Sequence, residues 1–317
     1  MLSVDMLAWI VFGLLIASFL ALDLFVFHRE AHEVKPREAL TWVCIWVSAA
    51  LAFCGVLYFW RGPDAAGEFL AGYLIEQSLS VDNMFVFALI FGYFAVPGKF
   101  QHRLLFWGIV GAVIFRAMFI GAGAVLLKNF HWTIYLFGAF LVFTGLKLLR
   151  HNDEDIDPEG NPVLKLIRRF VPMTTNLHGQ QFFTRQGGRL MATPLFAVLV
   201  VIETTDVIFA VDSIPAVFAV TSDPFIVFTS NAFAILGLRA LYFLLADMMG
   251  RFVYLKYGLA AILTLVGAKM LLTDIYKVPV WLSLGAIVGI LAITVMLSLR
   301  ATPNKEEQPL TKAKPTH

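Results

Sequence analysis

Residues 191–219 read MATPLFAVLVVIETTDVIFAVDSIPAVFA. This run has no Lys or Arg and is long enough, at about 1.5 Å per residue, to cross a hydrocarbon core of ~30 Å. Yet it carries Glu203, Asp206 and Asp212. An Asp facing lipid at a helix centre costs about 2.5–3.5 kcal/mol on insertion scales. These carboxylates must therefore face protein, water or a cation, and the stretch reads as a membrane helix with a polar inner face.

The rest of the chain agrees. Of its 317 residues 59% are hydrophobic and 15% charged, with a mean hydropathy of +0.79, whereas a soluble domain averages about a quarter charged. Nine apolar runs, near 5–27, 39–60, 68–96, 104–127, 131–149, 191–219, 224–246, 254–274 and 279–299, predict nine spanning helices. The expected fold is an all-α polytopic membrane protein, a single transmembrane domain over 1–300 with a disordered tail over 301–317. Only Asp5 precedes the first run as a charge, so it lacks the basic flank of a signal peptide and reads as a mature helix. A net charge of +2 gives no basic excess for nucleic acid. Cys44 and Cys54 stand ten residues apart in one run, about 15 Å along a helix and beyond disulfide reach.

Counting alternate connections, seventeen Lys and Arg fall on one side and only Arg61, Lys128 and Lys277 on the other. By the positive-inside rule the N-terminus is expected outside and the C-terminus in the cytoplasm, with the chain in the cell's inner membrane. The four remaining bases, Arg116, Lys147, Arg239 and Lys269, lie inside runs and form two pairs separated by 31 and 30 residues. Upstream of each pair an acidic element recurs: Glu76-Gln-Ser-Leu-Ser-Val-Asp82-Asn83 aligns with Asp206-Val-Ile-Phe-Ala-Val-Asp212-Ser213. Helices three to five (68–149) therefore repeat as helices six to eight (191–274), on either side of a cytoplasmic loop at 150–190. Three is odd, so the copies cross in opposite senses, an inverted repeat with its expected substrate site near the midplane.

At about 100° per residue, Glu76, Ser80 and Asn83 share one face of helix three. Glu203, Asp206 and Ser213 form a similar stripe on helix six. Asp82 and Asp212 fall about 120° off these stripes. Either the helices are interrupted there, as Pro215 suggests for helix six, or these two serve a second polar contact. With Asp23 of helix one, six acids face four bases, an excess of about two negative charges that a divalent cation or protons would balance. Pairing with the four bases alone is the plainer alternative. All seven histidines lie in connections or the tail, and no cysteine accompanies the acids. The expected metal ligands are Glu76, Asp82, Asn83, Glu203, Asp206, Asp212 and Ser213. Such oxygen donors suit Mn²⁺, Ca²⁺ or Mg²⁺ over Zn²⁺ or Cu²⁺.

In the cytoplasmic loop, Asp153, Asp155 and Asp157 alternate as in an EF-hand, but Pro158 and Leu164 stand where Gly and Glu belong. The segment reads as a solvated acidic loop. Val163, Leu166, Ile167 and Phe170 predict a short amphipathic helix at the leaflet. Phe182 to Thr193, around Gly187-Gly188, predicts a β-hairpin.

Gly72-Tyr73-Leu74-Ile75-Glu76, Ser80-Val81-Asp82-Asn83 and Asp206 through Pro215 resemble the signatures of the TerC family. Leu255-Lys256-Tyr257-Gly258 adds a likeness to its Alx branch. The resemblance covers nearly the whole chain and implies kinship with LysE-like exporters. It also implies Mn²⁺ export or homeostasis through Glu76, Asp82, Glu203, Asp206 and Asp212, and an older, indirect link to tellurium resistance. For some members it implies supply of metal to proteins being secreted, which would make secretion machinery a partner. The expected function is a secondary transporter exporting Mn²⁺, coupled to protons, with the lipid bilayer and the ion as partners. A non-transporting metal-supply factor and an exporter of another solute are the alternatives. No nucleophile–base constellation or cofactor fingerprint points to an enzyme.

Overall fold

The computed structural model describes residues 4–22, 36–130, 132–150, 165, 169, 171–174, 179–186, 189–245, 254–276 and 278–301; of Asp82 it describes the backbone alone. Among these residues are nine helices: α1 Val4–Leu22, α2 Pro36–Arg61, α3 Pro63–Tyr93, α4 Gly98–Asn129, α5 Thr133–Arg150, α6 Pro194–Phe218, α7 Pro224–Leu245, α8 Leu255–Leu271 and α9 Val280–Ala301. They fall one to one on the nine apolar runs. Six of them, α2, α3, α4, α6, α7 and α9, are long and apolar enough to cross a membrane. The other three, at 17 to 19 residues, are about 26–28 Å long, the lower end of the spanning range.

Local chemistry sets several boundaries. α2 and α3 are separated by Gly62 alone, at φ +96°, a conformation that penalises any residue with a Cβ. Proline opens α3, α6 and α7 at the first helical position, where a missing N–H costs nothing. Asp223 caps α7 by accepting the Phe225 N–H at 2.8 Å. The same carboxylate pairs with Arg61 at 2.5 Å, whose guanidinium lies 4.5 Å from the Trp60 ring. The expected hairpin is present, with β1 Phe183–Gln186 antiparallel to β2 Arg189–Ala192 and Phe183 opposite Ala192. The acidic loop at 153–157, the full amphipathic run at 163–170, Asp23 and the tail beyond 301 lie outside the described residues.

α7 is the innermost helix, buried along most of its length. An aromatic cluster of Phe12, Phe53, Phe69, Phe225 and Phe233 joins α1, α2, α3 and α7. Outward, the helices expose Leu14, Val56, Phe59, Leu89, Ile114, Phe143, Ile208 and Ile293, a surface that suits lipid and not water. α6 and α7 pack against α3 and α4, while α5 and α8 pack against each other through glycine. A Cβ on Gly267 would stand 2.7 Å from the Gly138 carbonyl oxygen, and one on Gly145 would stand 2.9 Å from that of Ala260. Small residues at such crossings let helix backbones approach closely.

The expected interruption of α6 is corrected. The helix runs unbroken through Asp212 and Pro215 to Phe218. Pro215 lies within a turn of the C-terminal end, so its ring removes one hydrogen bond, and its own carbonyl still accepts the Ala219 N–H at 3.0 Å.

Candidate functional site

The two polar faces predicted on α3 and α6 are buried. Glu76, Ser80 and Asn83 are 0%, 1% and 5% exposed, and Asp206 and Ser213 4% and 2%. Glu76, Asp206 and Ser213 face a guanidinium. Arg116 enters from α4 at 1% exposure. It grips Asp206 as a fork, with Nη2 to Oδ1 at 3.0 Å and Nε to Oδ2 at 3.3 Å. Its Nη1 donates to Glu76 Oε1, to Ser213 Oγ at 3.3 Å and to Asn231 Oδ1 at 3.0 Å. Asn231, from α7, donates its Nδ2 to the other oxygen of Glu76 at 2.9 Å. Four helices thus converge on one cation.

Bidentate, charge-assisted contacts of this kind are the strong ones, and only Arg supplies the planar fork. Burying charge is tolerable only when it is paired and hydrogen-bonded. The cluster meets that condition for Glu76 and Asp206. It does not for Glu203, one turn before Asp206 on the same face of α6. The Glu203 carboxylate lies where a Cβ on Gly111 of α4 would stand. Its Oε2 is buried without a hydrogen-bond partner among the described residues. Asp206 is the charged neighbour that acts on it. Glu76 and Asp206 together exceed the guanidinium they share by one acid, and Glu203 adds another on the same face of α6.

Asp212 does not join this group. It turns toward α5, where Thr144 Oγ1 donates to its Oδ1 at 3.4 Å and Lys147 lies within electrostatic reach. This is the second polar contact that its angular offset suggested. A further acid lies at the other end of α3: Glu68 accepts the Thr221 hydroxyl at 2.5 Å and has Lys269 of α8 nearby. Among the described residues no three of His, Cys, Asp and Glu are grouped as a ready metal cage. Of the seven expected ligands, then, Glu76, Asp206 and Ser213 meet on Arg116. Glu203 borders that group, Asn83 is buried further along the α3 face, Asp212 lies apart, and the side chain of Asp82 lies outside the described residues.

Sequence reading missed the central role of Arg116, though it counted it among four intramembrane bases. It also missed Asn231 and Gly111. An amide eight residues before Arg239 in an apolar span was a usable signal for Asn231. Nothing in the sequence singles out Gly111.

Residues 61–306 match the family model described as "Integral membrane protein TerC family". The chain belongs to the TerC family. A Myxococcus xanthus TerC relative, an uncharacterized membrane protein, is 50% identical over 92% of this chain and 91% of its own length. An Escherichia coli K12 relative, Alx, whose name proposes a membrane-bound redox modulator, is 45% identical over 92% of this chain and 94% of its own. A Rickettsia bellii membrane protein is 38% identical over 92% and 97%. No solved structure matches the chain. The likeness to these TerC-family relatives thus covers 92% of this chain in each case.

Proposed function

We propose that this TerC protein is a secondary transporter that exports Mn²⁺, or a divalent cation of like chemistry, from the cytoplasm across the inner membrane in exchange for protons. The observation that carries the reading is the excess of carboxylate over guanidinium where α3, α4, α6 and α7 meet. Glu76 and Asp206 share Arg116, and Glu203 adds a third carboxylate one turn before Asp206 on the same face of α6. A purely structural ion pair needs one acid per base, and surplus buried acid costs stability. With all three carboxylates ionised, such a cluster needs two positive charges to become neutral and is suited to a divalent ion. Its ligands are all oxygen, the preference of Mn²⁺, Mg²⁺ and Ca²⁺. Carboxylates hold the ion when ionised and release it when protonated, so proton coupling needs no separate machinery.

The inverted repeat belongs to this reading, and the α5–α8 contact supports it. Aligning Lys147 with Lys269 places Gly138 on Ala260, Val142 on Thr264 and Gly145 on Gly267. The contact of Gly145 with Ala260 and Thr264 is then the symmetry mate of the contact of Gly267 with Gly138 and Val142. A two-fold axis in the membrane plane produces that reciprocity, and such folds alternate by rocking one repeat against the other. The N-terminus outside and the C-terminus in the cytoplasm complete the arrangement.

Purified protein in liposomes tests the function directly. With an outward Mn²⁺ gradient and an opposing pH gradient, the wild type moves Mn²⁺ and Asp206→Asn does not, while both elute identically from a sizing column. In cells under Mn²⁺ stress, Asp206→Asn and Asp82→Asn raise intracellular Mn²⁺ by elemental analysis. Wild-type liposomes that move no divalent ion would refute transport and favour a role in supplying metal to secreted proteins. Movement of another solute alone would assign the chain to the wider exporter class.

A further inference from the structure

Resting on that reading, we propose that Arg116 is a tethered competitor of the transported ion: it fills the ion's seat when the carrier is empty and moves to Glu203 when the ion binds. The seat is visible in the acceptors that Arg116 holds. They are Glu76 Oε1, both oxygens of Asp206, Ser213 Oγ and Asn231 Oδ1, five oxygens from three helices around one positive charge. Hard divalent ions take about six to eight such ligands. The donor end of the Asn231 amide is engaged by Glu76 Oε2, which turns its carbonyl end toward the centre. The cage is therefore oriented for a cation whichever cation occupies it.

Glu203 supplies the second position. Its carboxylate is held against α4 at Gly111, and its Oε2 is buried without a partner among the described residues. It stands one helical turn from Asp206, about 5 Å along the axis, and Arg116 makes none of its hydrogen bonds to it. α4, the helix that carries Arg116, also touches the Glu203 carboxylate at Gly111, so the proposed move is a rotation of the arginine side chain along its own helix. With the ion on Glu76 and Asp206 and the guanidinium on Glu203, both groups are neutral. With the ion gone, Arg116 returns and prevents two bare carboxylates from facing each other while the carrier reorients. A binding-competent state that must first expel a resident cation has its apparent affinity lowered by the fraction of molecules in which the seat is already filled.

The experiment follows free Mn²⁺ by its electron paramagnetic resonance signal in solutions of purified wild type, Arg116→Gln, Arg116→Lys, Glu203→Gln and the double variant Arg116→Gln/Glu203→Gln. Liposome assays on the same proteins separate Mn²⁺-for-Mn²⁺ exchange from net Mn²⁺ movement. Arg116→Gln binds Mn²⁺ roughly tenfold tighter or more, retains exchange and loses at least nine-tenths of net movement, because the empty carrier no longer returns. Arg116→Lys retains net movement. Glu203→Gln binds several-fold more weakly, and the double variant regains the tighter binding, since no guanidinium then needs a second partner. Wild-type or weaker affinity in a well-folded Arg116→Gln protein makes Arg116 a scaffold and overturns the proposal. If that variant fails to fold, unchanged affinity in Glu203→Gln overturns it equally. A wild type that neither binds nor moves Mn²⁺ removes the transport reading itself, an outcome distinct from transport without an arginine switch.

Discussion

The backbone of α4 at Gly111 touches a carboxylate, and that contact fixes where Glu203 can point. A Cβ there would overlap the Glu203 carboxyl group, the far end of a flexible side chain that can rotate away. Gly111→Ala should therefore fold with little change in thermal midpoint yet lower the rate of Mn²⁺ transport several-fold, read in the liposome assay. A Gly111→Ala protein with full transport would show that the position of Glu203 is immaterial. Arg116 predicts the reverse balance. Replacing it with Met leaves Glu76 and Asp206 buried without their cation, a loss of about 3–5 kcal/mol for breaking one side of a buried pair. Urea or thermal unfolding in detergent should register it. A much smaller loss would mean that the acids already have protons or water in place of the guanidinium.

Between elements, helix backbones come closest among the described glycines where α5 and α8 cross. Both sides of any substitution there are backbone: Gly267 faces the Gly138 oxygen and the Val142 nitrogen, and Gly138 faces the Gly267 oxygen at 3.0 Å from a built Cβ. Backbone cannot rotate away as a side chain can, so the helices must separate and lose packing along their length. Gly267→Ala should lower the melting temperature by several degrees. Gly145→Ala, its mate under the proposed two-fold, should lower it by a similar amount. Gly285→Ala in α9, where a built Cβ meets nothing within 4 Å, should be neutral or slightly stabilising, since Ala is the better helix former. Strongly unequal effects at Gly145 and Gly267 would count against the symmetry.

For the molecule as a whole, the charge of the central cluster predicts the coupling. With Glu76, Glu203 and Asp206 all ionised, these three carboxylates and Arg116 carry two net negative charges, which one divalent ion cancels. An empty cluster reaches the same neutrality by taking up two protons. The exchange should then be one Mn²⁺ for two H⁺ and electroneutral: driven by a pH gradient and indifferent to membrane voltage. Liposomes clamped at different potentials with a potassium ionophore measure this, and a rate that climbs with voltage at constant pH gradient would exclude it. Arg61–Asp223 and Thr221–Glu68 tie α2 and α3 to the turn between α6 and α7.

Sequence alone determined the nine helices, the hairpin ahead of α6 and the membership of Glu76, Ser80 and Asn83 in one buried face. Each of these depends on what a residue does within its own helix or turn: the length of an apolar run, the 100° advance per residue, the φ demanded of a glycine. Only the tertiary structure decided which partner each acid meets. Glu76 finds Arg116 forty residues along the chain and Asn231 at 155, whereas Asp212, six residues after Asp206 on the same helix, turns to α5 instead. Partners that distant are set by which helices pack together and at what depth, and hydrophobic periodicity carries no record of that choice. The same holds for Gly111, whose importance lies entirely in the carboxylate that packing brings against it.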